Sequence, residues 1–282
     1  MSERNWTVAE PRRIVFEEPV GELHVRIVGG TVNVVGVDEG PARLEVAELD
    51  GPPLIVTQKG GSVTVAYEDL PWKGLLNWLD PKGWKRHVVV SLAVPTTTRV
   101  EVGVVSAEAV VSGVGGRTTV HGVSGDTALV GLSGEVDAHT VSGSVEAQAL
   151  SGDLRVNTVS GDLTVIEGTG SKVKADSVSG NMVLDLDPSA GADVRLNTVS
   201  GEIAIRIPEP GHASVEANTA SGAVSCAFDE LRVTGQWGAK RITGRIGSGD
   251  ARLKATTVSG SIALLRRPPM EPAEAGAFRK DS

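Results

Sequence analysis

"NTVSGEIAIRI", residues 197–207, is one of several near-copies in this chain. "NTVSGDLTV" stands at 157–165, "DSVSGNMVLDL" at 176–186, "NTASGAVSCAF" at 218–228 and "TTVSGSIALL" at 256–265. Two residues after the glycine come Leu163, Met182, Ile203, Val224 and Ile262; four after it come Val165, Leu184, Ile205, Cys226 and Leu264. Six and four before the serine stand Val173 and Ala175, Val194 and Leu196, Val215 and Ala217, and Leu253 and Ala255. Alternation of period two on both sides of Ser-Gly predicts a strand, a bend and a strand, with one face inward. Glycine at the bend is expected to supply an unusual φ or a bulge. The serine beside it is expected to bond nearby backbone.

The spacing turns the motif into an architecture. From Ser124 to Ser160 the serines of the Ser-Gly pairs are 9 apart; the next steps are 19, 21 and 21. Two steps of 9 nearly equal one later interval. The coil is therefore about 18–21 residues long, with the shorter coils carrying Ser-Gly on two sides. One such coil buries too little to fold alone, so coils must stack and join backbones at the strand spacing of ~4.8 Å. The reading is an all-β β-solenoid. Asn157, Asp176, Asn197 and Asn218, three before their serines, are expected to form a hydrogen-bonded ladder. After the glycine, Asp126, Asp162 and Glu202 alternate with neutral residues, which points to a solvated edge; the calcium-binding nonapeptide pattern is absent.

Other segments follow the same grammar less regularly. Residues 1–12 are expected to be flexible, and 13–102 to form a β-rich cap over an exposed solenoid end. Within it, Gly29-Gly30 marks a hairpin or a rung turn. Residues 103–265 form the solenoid proper; the irregular stretch 229–250 reads as an additional coil with longer turns. Residues 266–282, Pro-rich and charged, read as a disordered tail.

"PWKGLLNWLDPKGWKRH", residues 71–87, breaks the pattern. It carries Trp72, Trp78 and Trp84, with Lys73, Lys82, Lys85 and Arg86 against Asp80 alone. Two readings compete: a lid whose tryptophans pack on the solenoid, or a docking surface for a partner or a membrane interface. For the second, the candidate contact residues are Trp72, Trp78, Trp84, Lys82, Lys85 and Arg86.

Composition narrows the function. The chain has 282 residues, is 40% hydrophobic with only 3% aromatic residues, and has a formal net charge of −8, which disfavours non-specific nucleic-acid binding. The lone cysteine, Cys226, falls on the inward ladder with Leu184 and Ile205 and reads as structural. His121 and His139 lie 18 apart, so they are expected to stack one coil apart; no third metal ligand accompanies them. No nucleophile elbow or phosphate-binding loop is present. The reading is a non-enzyme without cofactor or metal. The N-terminus lacks a secretory h-region and no run is long enough to span a membrane, so a cytoplasmic location is expected, with contact to a membrane through a partner.

The Ser-Gly rungs, the strand-rich N-terminal part and the lead-in "VPTTTRVEV" resemble the bacterial adhesin-like toastrack family of β-strand repeats, a domain of unknown function. The resemblance covers most of residues 14–265. It implies a single-stranded right-handed β-solenoid, carries over no catalytic residues, and implies a scaffold for protein partners in membrane-stress or cell-envelope responses. Two further expectations stand beside that scaffold. One is end-to-end self-assembly in the manner of bactofilins; the other is carbohydrate binding or cleavage.

Overall fold

The computed structural model describes residues 3–68, 86–236 and 238–267. Among the described residues, twenty-four strands form one continuous sheet. The N-terminal strands are β1 (Glu3–Val8), β2 (Arg12–Val15), β3 (Glu22–Val37), β4 (Arg43–Asp50), β5 (Leu54–Lys59), β6 (Ser62–Tyr67), β7 (His87–Pro95) and β8 (Arg99–Ser112). Two-strand rungs follow: β9 (Thr118–Gly122) with β10 (Thr127–Val130), β11 (Val136–Thr140) with β12 (Val145–Gln148), and β13 (Leu154–Thr158) with β14 (Leu163–Gly168). Next come β15 (Lys172–Asp176) with β16 (Met182–Leu186), β17 (Asp193–Thr198) with β18 (Ile203–Pro208), and β19 (Ala213–Thr219) with β20 (Val224–Cys226). The chain ends in β21 (Leu231–Gln236), β22 (Ala239–Ile246), β23 (Ala251–Thr257) and β24 (Ile262–Arg267).

Each rung gives one strand to each of two walls. The first wall runs β1–β5–β6–β3–β8–β9–β11–β13–β15–β17–β23–β19–β22–β21. The second runs β2–β4–β7–β3–β8–β10–β12–β14–β16–β18–β24–β20. Rung pairs are parallel and in register: Val194 lies beside Leu253, and Ile203 beside Ile262. The inward ladders read from the sequence form one core of buried Val, Leu, Ile and Ala. Buried aromatic rings sit toward the ends, Phe16 and Tyr67 near the start of the stack and Phe228 near its finish. Antiparallel strands close the N-terminal end on both walls and the C-terminal end on the first wall, while β20 remains a short parallel edge of the second.

Several expectations change. Glu3–Val8 is not a flexible leader: β1 pairs antiparallel with β5, and its buried Val8 joins the core. Gly29-Gly30 makes a rung turn, so β3 crosses both walls as one strand and already acts as a rung beside β8. β6 and β7 pair with the two halves of β3, so they too form a rung. Residues 229–250 are not a coil. β21 and β22 form an antiparallel hairpin, and β22 pairs antiparallel with β19 through buried Ile242 and Ile246. In the proposed tail, Arg266 and Arg267 belong to β24, and 268–282 lie outside the described residues.

The order of the last rungs also departs from chain order. After β17–β18 the chain passes over one rung position and builds β19–β20 and the hairpin. It then returns to place β23–β24 in the gap, against β17–β18 on one side and β19–β20 on the other. Arg267 fixes the returning end. Its Nε donates to Asp185 Oδ1 at 2.7 Å and a terminal nitrogen to the Leu186 carbonyl at 3.0 Å, while Arg206 holds the other oxygen of Asp185.

Candidate functional site

The corner from the first wall to the second is built from the repeated Thr-Val-Ser-Gly. The threonine, or Ser177, is buried, and its hydroxyl accepts the N–H of the glycine three residues on, at 2.8–3.1 Å in six rungs. That cap satisfies a donor that would otherwise be left unpaired at a turn. The serine hydroxyl donates to the carbonyl of the corner residue one rung before, as Ser142 does to Val123 and Ser160 to Val141. The serine therefore binds rung to rung, not its own turn. The glycine's reason differs from the expected one too. Its φ is not positive. A Cβ at Gly143, Gly161, Gly180, Gly201, Gly260 or Gly222 would overlap the carbonyl oxygen of the glycine one rung before. Rung stacking at strand spacing leaves no room for a side chain there.

Of the four residues, only the valine places an apolar side chain in solvent. Val141, Val159, Val178, Val199 and Val258 stand on five neighbouring rungs and are 42%, 47%, 49%, 48% and 51% exposed. Backbone bonds such as Val258 N–H to the Val199 carbonyl link them into a ridge. Toward the N-terminal end the same line continues into Val123, partly buried, and then Val105 and Val28, which are buried. The next rung on that line is β6–β7, the one interrupted after Glu68 and resumed at Arg86.

Of the residues read as partner contacts, Trp72, Trp78, Trp84, Lys82 and Lys85 lie outside the described residues. Arg86 is described: its guanidinium sits 5.0 Å from the centroid of the Tyr67 ring. Sequence reading missed the valine ridge. The signal was present, because valine precedes most of the aligned serines at a position that neither alternating run places inward.

His121 and His139 stack as expected, with ring centroids 5.2 Å apart and planes 13° from parallel. Burial, and next the charge of His139, push the His121 pKa below the usual imidazole value; Glu101 and Asp137 oppose the shift. His139 Nε2 lies 2.9 Å from Asp137 Oδ1, close enough for an ion pair but outside hydrogen-bond geometry. Asn157 lies 3.4 Å from His139 Nδ1. Among the described residues, no three His, Cys, Asp or Glu side chains converge as a metal site. The expected Asn ladder is broken by the returning rung. Asn197 donates to Asp176 at 2.8 Å, but Thr256 separates Asn197 from Asn218. Asp126 and Asp162 each accept the backbone N–H of the residue one rung on, Ser144 and Asn181. Cys226 is half-buried, not buried: its neighbour is Leu264, β20 is the edge of the second wall, and the thiol faces the Phe228 carbonyl at 3.5 Å.

Residues 55–265 match the model of the family described as Toastrack DUF4097. No curated protein matches the chain. Among solved structures, it is similar to a candidate lipid binding protein from Parabacteroides distasonis, at 12% identity over 91% of this chain and 96% of that one, with a TM-score of 0.45. A candidate adhesin from Bacteroides fragilis is 10% identical over 94% and 96%, with a TM-score of 0.43. A candidate cell adhesion protein from Clostridium sporogenes is 10% identical over 92% and 100%, with a TM-score of 0.25.

Proposed function

The chain belongs to the toastrack family, and from that membership we propose that it is a non-enzymatic β-solenoid scaffold that docks a protein partner along one corner. One observation carries the reading: five adjacent rungs repeat an exposed valine at one corner. An exposed apolar stripe with a regular repeat is a surface for another protein. In the sequence, the Trp-rich segment falls between β6 and β7. Its composition, with Trp72, Trp78, Trp84, Lys82, Lys85 and Arg86, is that of interface hot spots, where tryptophan and arginine are enriched. In this reading the partner spans both features, in the cytoplasm or at a membrane surface, and belongs to an envelope-stress response.

Two variants test it: Val141, Val159, Val178 and Val199 all changed to Ser, and Trp72, Trp78 and Trp84 all changed to Ser. Each is first checked for an unchanged circular dichroism spectrum, then used with the wild type to capture partners from separate cytosolic and membrane fractions. A protein retained by the wild type and lost from both variants supports the scaffold. Capture that is identical for all three removes the corner as the docking site. Binding to protein-free lipid vesicles that both variants lose replaces the protein partner with a membrane.

A further inference from the structure

The outward side of the first wall carries a second regular feature, independent of the valine corner. Arg155, Lys174, Arg195 and Lys254 are direct neighbours on four consecutive strands. All four are exposed. Asp137 precedes them in the same column and Glu216 follows, so the cation run has defined ends. Like charges directly opposite one another on a sheet destabilise it. Four in succession, in a chain of net charge −8, are not the cheapest way to cover a wall.

Neighbouring acids neutralise only part of the run. Lys174 pairs with Asp176 at 3.1 Å and Arg195 with Asp193 at 2.6 Å, each on its own strand. Arg155, Lys254 and the flanking Arg252 have no ion-pair partner among the described residues. A shallow cavity of about 260 Å³ lies along this column, lined by Arg155, Lys174 and Arg195 together with Glu135, Asp153, Lys172 and Asp193. On the other side run Asn157, Asp176, Asn197 and Thr256. The ladder owes its length to the returning rung: without β23, Arg195 would be followed by Glu216.

We propose that this ladder is a binding surface for a linear acidic polysaccharide whose carboxylates repeat along the chain. Three features select that class. The cations repeat once per rung, at ~4.8 Å, and an extended sugar chain advances by about one strand spacing per residue. The unpaired cations stand at both ends of the run, so a chain spanning several rungs engages more of them than a single small anion does. On one side the ladder is flanked by Asn157, Asn197 and Thr256, neutral groups that hydrogen-bond hydroxyls, which suits a ligand bearing hydroxyls between its charges. The surface lies on the wall, so it stands or falls apart from the corner docking site.

The test is calorimetric titration of the full chain with a galacturonic acid hexamer, a neutral glucose hexamer and inorganic polyphosphate. The acidic hexamer is expected to bind, more weakly as salt rises, and the neutral one not to bind. Arg155→Gln with Lys254→Gln should weaken binding at least about tenfold, as the loss of two charge-assisted contacts requires. Arg155→Lys with Lys254→Arg should retain it, and Arg12→Gln with Arg43→Gln, exposed cations of the N-terminal cap, should leave it unchanged. Three results overturn the proposal: no binding of the acidic hexamer, equal binding by the Gln variant, or polyphosphate binding as tightly as the sugar.

Discussion

The two corners of each rung make the same reversal under different constraints. At the corner from first to second wall, Thr-Val-Ser-Gly recurs with little change, and each glycine lies against the glycine of the rung before. At the opposite corner, Gly134, Gly152 and Gly170 obey the same rule for three rungs, after which it lapses. The next return, 187–192, is longer, and its Gly191 has a φ of +83° with nothing where a Cβ would sit. The return after β18 runs through Glu209-Pro210-Gly211, and from the one after β20 the chain leaves the stack for the hairpin. A corner locked between its neighbours keeps its sequence. A corner released from them accepts loops, and it is there that the chain departs from rung order.

The largest effect should come from removing the rung that this departure makes possible. Ending the chain after Gly249 strips Leu253, Ile262 and Leu264, each no more than 2% exposed, from between two rungs. At about 1.5–3 kcal/mol per buried side chain, the loss is on the order of 5 kcal/mol, read as a lower urea midpoint with a smaller m-value. The contrast between corners would be weakened if the truncated chain kept full stability. β19–β20 would then have moved one place to stack directly on β17–β18, which the matching Val194 and Val215 positions allow.

A smaller effect separates the corners directly. Gly201→Val forces a side chain into the Gly180 carbonyl and should cost about 3 kcal/mol or more, since neither backbone can yield without moving its rung. Two glycines inserted between Ser189 and Ala190, at the free corner, should cost under about 1 kcal/mol, because lengthening a surface loop adds little closure entropy. Similar losses from both changes, measured by urea denaturation, would mean that the second corner is as constrained as the first.

The same contrast decides what could be read in advance. The rung, its inward ladders and the stacked histidines were legible because each is a local repeat: Leu163, Met182 and Ile203 fall at one offset from Ser-Gly, and His121 and His139 one coil apart. The rung order was not. β19 and β23 carry interchangeable patterns, with Val215 opposite Leu253 and Ala217 opposite Ala255, so nothing local says which lies against β17. The cation ladder was hidden for the same reason, since Lys254 meets Arg195 only through that rearrangement. The hairpin at β21–β22 was misread because Ile242 and Ile246 alternate like a rung strand while running antiparallel to β19.

The smallest effect is the most informative about the docking corner. Thr158, Ser160 and Gly161 each meet a requirement of the stack: a buried cap, a rung-to-rung bond and a backbone contact. Val159 sits among them and meets none, with 47% of its surface in water. A β-branched residue at an exposed strand end contributes a few tenths of a kcal/mol through propensity alone. Val159→Ser should therefore change stability by less than about 0.5 kcal/mol, the range of an ordinary surface substitution. A loss well above that would give the ridge a structural purpose and remove the reason to look for a partner. A null result in the urea midpoint leaves a valine repeated on five rungs that the fold does not need, and the requirement must then come from outside the chain.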